Sequence, residues 1–423
     1  MYKSVSAEDA VKIIKSNDRI YIQAAAAASQ TLIDAMTARH EELQNVEVSH
    51  LHIEGKTPYA NPIYKNSFHV NSYFIGKNVR HTLQAGNGSY TPVFLSELPI
   101  LFKRNIVPLD VVFIQVSPPD KHGYCSLGVS VEATLAAIDN AKHVIAHINP
   151  QMPRTHGDGI IHISELDTFV EHDTPIHEHE MVAPNDIELK IGKHIANLID
   201  NGSTLQMGIG SIPNAVLTQL TNHKNLGLHT EMFSDGVIDL ILNDVINGNN
   251  KGINPGRAMA TFLMGSKRLY DYVDDNPFVE MRASDFTNDV NIIRQNKKMV
   301  AINSAVEIDV TGQVCADSIG TKMFSGVGGQ MDFIRGAALS EGGKAFIALP
   351  SQTRKGISRI VPFLKKGAGV VTTRAHVHYV VTEYGVADLY GKTLKERVKA
   401  LVNIAHPNHR ENIERTYFEA TNG

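Results

Sequence analysis

The chain has 423 residues, of which 43% are hydrophobic and 20% charged, with 32 Gly and 17 Pro; this usage excludes disordered, collagenous and low-complexity classes and, at roughly 100 to 200 residues per domain, allows two to four packing units. Forty Lys plus Arg against 44 Asp plus Glu leave a net charge of −4 and a pI near 6.6, so no long-range positive field gathers nucleic acid or anionic lipid. Cys125 and Cys315 stand far apart without CxxC spacing, which excludes a disulfide framework or zinc knuckle and suits a reducing cytoplasm.

In chain order, residues 1–20 (MYKSVSAEDAVKIIKSNDRI) read as an amphipathic helix of mixed charge. They lack the apolar core of a signal peptide, and no run approaches the ~18 apolar residues of a membrane span, so the expected setting is inside the cell with no membrane partner. Short β-branched runs then alternate with amphipathic stretches. Strands are predicted at 19–22, 46–52, 110–116, 143–148, 204–207, 226–230, 298–302 and 344–349. Such alternation predicts an α/β fold with mainly parallel sheets and helices on both faces. The polar segment 171–185 (EHDTPIHEHEMVAPN) carries Pro175 and Pro184 and separates two stretches that each open with a helix-strand-turn-helix pattern, so domains are expected at 1–185 and 186–423.

The two halves read as diverged copies. Residues 17–36 lie on 201–220 without a gap, each giving turn, strand, small-residue loop and helix; after a four-residue slip, 46–51 falls on 226–231, a second strand in each. Two similar open α/β domains follow, and Glu231 closes a parallel strand beside the loop Gly208-Ile209-Gly210. Ligand sites in open α/β sheets lie beyond the carboxyl ends of the strands, which directs attention to that loop.

Gly208, Ile209, Gly210, Ser211 and Ile212 follow a predicted strand and precede a predicted helix, and glycines there let backbone N–H groups approach an anion at a helix N-terminus. The alternative is a tight βα turn that merely needs glycine; Pro213 stands where the dinucleotide fingerprint asks for its third glycine. Glu231 lies 23 positions past Gly208, close to the ~20 of a ribose-binding acid. A ribose acceptor, a nucleophile in a closed pocket and a surface acid at a helix start stay open on spacing alone. Gly326, Gly328 and Gly329 in SGVGGQMDF (325–333) offer more backbone donors. Two such loops with a strand-end carboxylate point to acyl rather than hydride chemistry, in which each donor aimed at a developing oxyanion is worth ~3 kcal/mol. Lys355, in ALPSQTRKG (348–356), is either a phosphate contact or a solvated loop charge.

Other conspicuous residues carry blander readings. His177-Glu178-His179-Glu180, with His172 nearby, reads as exposed polar sequence, and no metal is expected. His50 and His52, and His376 and His378, alternate on predicted strands and so share faces, as core or channel residues. Cys125 lacks the adjacent basic partner of a nucleophilic thiol.

Six separated segments carry a family resemblance: SPPDKHGYCSLG (117–128), NPQMPRTHGDG (149–159), GIGSIPNAV (208–216), HTEMFSDG around Glu231, GVGGQMDF and TEYGVADL (382–389). Together they resemble the acetyl-CoA hydrolase/transferase family of class I CoA-transferases over nearly the whole chain, nearest to its 4-hydroxybutyrate and butyrate:acetate members. The resemblance implies the CoA-transferase fold and makes Glu231 the glutamate that forms a glutamyl-CoA thioester. It implies a CoA-contacting turn at Gly208 to Ile212, an oxyanion hole from the amides of Ile209 and Gly326, and further CoA contacts at Asn303, Gly326, Gly328, Gly329 and Lys355. Ala24 to Ala28 stands where relatives often carry Gly, so no separate anion site is implied for the N-terminal loop. Glu383 and Tyr384 are a family marker expected to shape the pocket.

The same resemblance implies coenzyme A as substrate and covalent intermediate, acyl-CoA and short-chain carboxylates as partners, and a homodimer or homotetramer. The leading expectation is a ping-pong exchange of CoA between 4-hydroxybutyryl- or butyryl-CoA and an acid such as acetate. The alternatives are an acyl-CoA (acetyl-CoA) hydrolase, an NAD-dependent dehydrogenase built on Gly208 and Glu231, and a catalytically silent CoA-binding regulator.

Overall fold

The structure, a computed structural model, describes residues 3–421. The helix expected over 1–20 is corrected to one turn, Ala7–Ala10, that tightens into a 3-10 turn, Val11–Ile13; Met1 and Tyr2 lie outside the described residues. Val11 and Ile14, the apolar positions behind the helical pattern, are three residues apart and both buried, a spacing that a single 3-10 turn satisfies.

The chain packs as two compact units, Met1–Glu180 with Met259–Thr287, and Met181–Ala258 with Asn288–Gly423. In the first unit, β1 (Arg19–Ile22), α1 (Gln30–Ala38), β2 (Val46–His50), β3 (Phe68–Ser72), β4 (Gly88–Tyr90), β5 (Leu109–Val116), β6 (Ala141–Ile148) and β7 (Thr168–Glu171) follow in order. The strands form one parallel sheet in the order β7-β6-β5-β1-β2-β3-β4. The loop after β1, Ala24 to Ala28, is buried throughout. Its first amide donates to Glu132 (3.1 Å), a fully buried carboxylate that the hydroxyls of Tyr21 (2.9 Å) and Thr134 (2.6 Å) also hold. A side chain of the protein thus takes up the amide that an external anion would need.

In the second unit, α2 (Asp186–Ala196), β8 (Thr204–Met207), α3 (Ser211–Leu217), β9 (Gly227–His229), β10 (Met299–Ser304), α4 (Gln330–Leu339), β11 (Lys344–Ala348), β12 (Tyr379–Thr382) and β13 (Gly385–Asp388) precede two C-terminal helices. α2 begins where Asn185 and Glu188 exchange side-chain and backbone hydrogen bonds, a capping box that ends the polar segment. The strands run β13-β12-β11-β10-β8-β9, parallel except for the β12–β13 hairpin. α4 buries Phe333, Ile334 and Ala337 in a core with Met299, Ala301, Ala345 and Ile347 of β10 and β11.

Both sheets reverse direction of growth beside their first strand, β1 lying between β5 and β2 and β8 between β10 and β9. Registers refine the proposed internal alignment: Arg19 pairs with Glu47, and Thr204 with Gly227, so the first strands correspond one position later than the gapless match places them. Most of the slip lies in the loop after the first strand, residues 23–29 in one unit and 208–210 in the other.

Several local expectations shift. β2 ends at His50 and β12 begins at Tyr379, so His52, His376 and His378 lie outside the strands instead of alternating along them. His50 meets the Tyr59 hydroxyl at 3.0 Å inside the core, and burial pushes the His50 and His52 imidazoles down to about 4. The 177–180 run is exposed at Glu178 and Glu180 and is also held in place: the Tyr270 hydroxyl donates to the His177 carbonyl (2.6 Å), and the Lys267 amide donates to Glu178 (2.8 Å). Among the described residues, no three His, Cys, Asp or Glu side chains are grouped to hold a metal ion, and no helix is long and apolar enough to cross a membrane. Cys125 is fully buried, which pushes its thiol up to about 11.

Candidate active site

β8, β9, β10 and β11 are parallel, so their carboxyl ends share one edge of the second unit's sheet. Gly208 follows β8, Glu231 follows β9, Asn303 stands at the end of β10, and Ser351 follows β11. The reversal in strand order between β8 and β10 falls at the same edge, where crevices open in such sheets.

Thr230 sets the direction of the next side chain. Its buried hydroxyl accepts the Met207 N–H (3.3 Å) and lies 2.9 Å from the carbonyls of Met207 and Met232, which share its one hydrogen. The end of β9 is thereby tied to the last residue of β8, and Glu231 is presented beside the glycine loop. Glu231 keeps partial solvent access, yet protein surrounds its carboxyl closely. Two donors reach it: the Asn288 amide nitrogen, 3.1 Å from Oε2, and the backbone N–H of Gly329. Desolvation dominates over both, and with the nearby Asp332 charge it pushes the Glu231 carboxyl up to about 7.

Gly329 is required for space. A Cβ there would stand 2.0 Å from Glu231 Oε2 and 2.1 Å from Asn288 Nδ2. Gly326 and Gly328, in the same loop, are buried, and Gly328 has φ 56°, a left-handed backbone that glycine adopts freely. In the first glycine loop, Gly210 needs its glycine for φ 121°, whereas Gly208 shows neither constraint: its Cβ would meet nothing within 4 Å. Ile209 is 37% exposed. The Ser211 hydroxyl donates to Glu188, so its side chain is already engaged by α2. α3, at seven residues, sums fewer peptide dipoles than the helix N-terminus expected behind this loop.

Asn303 donates to Gln206 Oε1 (3.0 Å), which also accepts the Ile302 N–H (3.2 Å), so β8 and β10 are joined just before their ends. Lys355 is exposed on a hairpin spanning 352–358, and its backbone N–H goes to the Thr353 hydroxyl. Glu383 does shape this region, though as a clamp: it accepts the amide (2.9 Å) and hydroxyl (2.6 Å) of Ser351, where the hairpin leaves β11. Asn288, Asp332, Thr230 and Gln206 were not singled out from the sequence. Asp332 lies inside the GVGGQMDF segment, but Asn288 sits in no distinctive pattern, and only the fold brings it to Glu231.

Residues 1–178 match the acetyl-CoA hydrolase/transferase N-terminal domain and residues 265–417 the C-terminal domain of the same name. The chain is 49% identical to the 4-hydroxybutyrate coenzyme A transferase of Clostridium kluyveri, over 97% of this chain and 96% of that one. It is also 49% identical to a succinyl-CoA:acetate/propanoyl-CoA:succinate CoA transferase of Fasciola hepatica, over 96% and 86%. The crystal structure of a 4-hydroxybutyrate CoA-transferase from Porphyromonas gingivalis superposes with a TM-score of 0.85 at 40% identity, covering 99% of this chain and 98% of that one. These likenesses overturn the dehydrogenase alternative, which spacing had left open and which Pro213 and the short α3 disfavour. The chain belongs to the acetyl-CoA hydrolase/transferase family.

Proposed function

We propose that this chain, a CoA-transferase, exchanges CoA between a short-chain acyl-CoA and a carboxylate through a glutamyl-CoA thioester at Glu231, in ping-pong order. The observation that carries the reading is the setting of Glu231: a strand-end carboxylate, confined between Gly329 and Asn288 and pushed up to about 7.

In this reading the Glu231 carboxylate attacks the acyl thioester, giving a mixed anhydride and CoA thiolate. The thiolate attacks the glutamyl carbonyl, releasing the first acid and leaving Glu231 joined to CoA. A second acid attacks that thioester, and the same steps run backwards to form the new acyl-CoA. The thioester is exchanged, so no ATP is consumed. A carboxylate is a weak nucleophile with water as competitor, so the site must limit water and present donors to each tetrahedral oxyanion. The amides of Ile209 and Gly326 are assigned that role. Gly208 to Ile212, Asn303, Gly328, Gly329 and Lys355 are assigned to CoA; a glycine at 208 that neither φ nor packing demands supports close approach of a ligand to that backbone. Binding energy from remote parts of CoA orients the thioester for the nucleophile.

The acyl donor assigned is 4-hydroxybutyryl- or butyryl-CoA and the acceptor acetate, supported by the 49% identity to the C. kluyveri enzyme. The reading further takes the enzyme to be a cytoplasmic homo-oligomer, with functional domains at 1–185 and 186–423 and the CoA site in the second. The test is incubation with a panel of acyl-CoAs followed by borohydride, which reduces a glutamyl thioester to the alcohol, and peptide mass spectrometry. The expected mass change maps to Glu231 and is absent from Glu231→Gln; turnover with Glu231 unmodified refutes the reading. CoA release at full rate without an acceptor acid favours the hydrolase instead.

A further inference from the structure

We propose that Asp332 is a positioning residue for this reaction: through the Asn288 amide it keeps an N–H directed at the Glu231 carbonyl throughout the cycle. This rests on the reading of Glu231 given above.

Asn288 is fully buried, and its amide nitrogen lies between two acids, 3.1 Å from Glu231 Oε2 and 3.4 Å from Asp332 Oδ2. The nitrogen has two hydrogens, one for each. Its Oδ1 is buried without a hydrogen-bond partner among the described residues, an arrangement that opposes this orientation. The opposite orientation would aim the carbonyl oxygen at both carboxylates. The two acids together therefore decide which way the amide faces. Once Glu231 is joined to a thiol as a thioester it loses its charge and accepts the Asn288 N–H more weakly. Asp332, 5% exposed in the first turn of α4, takes no part in that bond and stays an acceptor 3.4 Å from the amide nitrogen, and so holds the amide with N–H toward the Glu231 carbonyl, on which the oxyanions of the thiolate and second-acid attacks form. An acid at this point of a helix also stabilises the helix, but that alone does not require Asn288 to lie between it and Glu231.

A purely electrostatic role has the opposite sign. The Asp332 charge opposes ionisation of Glu231, so neutralising it would leave more Glu231 ionised below neutrality and speed the first attack.

The experiment is a double-mutant cycle on the full-length enzyme with Asp332→Asn and Asn288→Ala, read as kcat and KM for CoA transfer from butyryl-CoA to acetate. Positioning predicts that Asp332→Asn lowers kcat about tenfold with KM changed less than about threefold, and that in the Asn288→Ala background it costs less than about twofold more. Equal losses in both backgrounds, or a kcat that is unchanged or raised, overturn the proposal. Should Asp332→Asn not fold, Asp332→Ser, which keeps a first-turn acceptor without the charge, is read in the same way. Glu231→Gln is the reference: if it retains transfer, the reading of Glu231 fails by itself, whereas a dead Glu231→Gln with additive Asp332 and Asn288 effects sinks only the positioning role.

Discussion

At Glu231 the folded state holds a carboxyl well above its ordinary 4.5. Well below 4.5 the group is neutral whether folded or not and costs the fold nothing. As pH rises the unfolded chain ionises first, so the penalty grows from about 4.5 and levels off above about 7, at up to roughly 3 kcal/mol before solvent access is allowed for. Glu231→Gln should therefore raise the thermal midpoint at pH 8, leave it unchanged at pH 4, and abolish transfer; an equal shift at both pH values would show that the carboxyl is not desolvated. If Glu231 attacks as the carboxylate, as proposed, kcat/KM should fall on the acid side with a midpoint near 7. Glu231→Asp, one methylene shorter, should also lose transfer. The two glycine loops separate cleanly in a paired test. Gly329→Ala drives a methyl into Glu231 and Asn288 and should cost about a hundredfold in kcat, while Gly208→Ala, which touches nothing in the fold, should leave stability unchanged and raise KM for acyl-CoA. Glu231 and both glycine loops stood out in the sequence because their motifs are local. Asn288 did not, because its meaning is a distance to a residue 57 positions earlier.

Among the elements, the ends of the strands do the positioning. Thr230 joins β8 to β9 through one hydroxyl with three backbone partners. Thr230→Val preserves shape and removes those bonds, so it should destabilise by about 1 to 3 kcal/mol and misplace the neighbouring Glu231; denaturant melts measure the first effect and kcat the second. Predicted strands at 19–22 and 204–207 coincide with β1 and β8, because each is a short run with strand-favouring Ile, Tyr or Thr that starts directly after turn residues, Asn17-Asp18 and Gly202-Ser203. Short helices were less legible. The pattern over 1–20 resolves into two tight turns, and His52, His376 and His378 themselves lie outside strands, since alternation of two residues reports a shared face only if the backbone stays extended.

At the scale of the whole chain, ligand linkage gives the broadest check. A butyryl-CoA concentration near 100 times its Kd should stabilise the protein by about 2.7 kcal/mol, seen as a higher thermal midpoint, while NAD should give no shift. Composition, periodicity and six motifs were enough to determine an α/β chain of two similar halves and its family, and to single out Glu231 as the carboxylate proposed to react, because each rests on residues close together in sequence. The return of Met259–Thr287 to the first unit, the Glu132 carboxylate that takes up the amide of the N-terminal alanine loop, and the lineup of Asn288, Gly329 and Asp332 around Glu231 were decided only by the tertiary structure. These depend on which strand ends share an edge and on how far burial shifts a charge, and neither quantity exists until distant segments have packed.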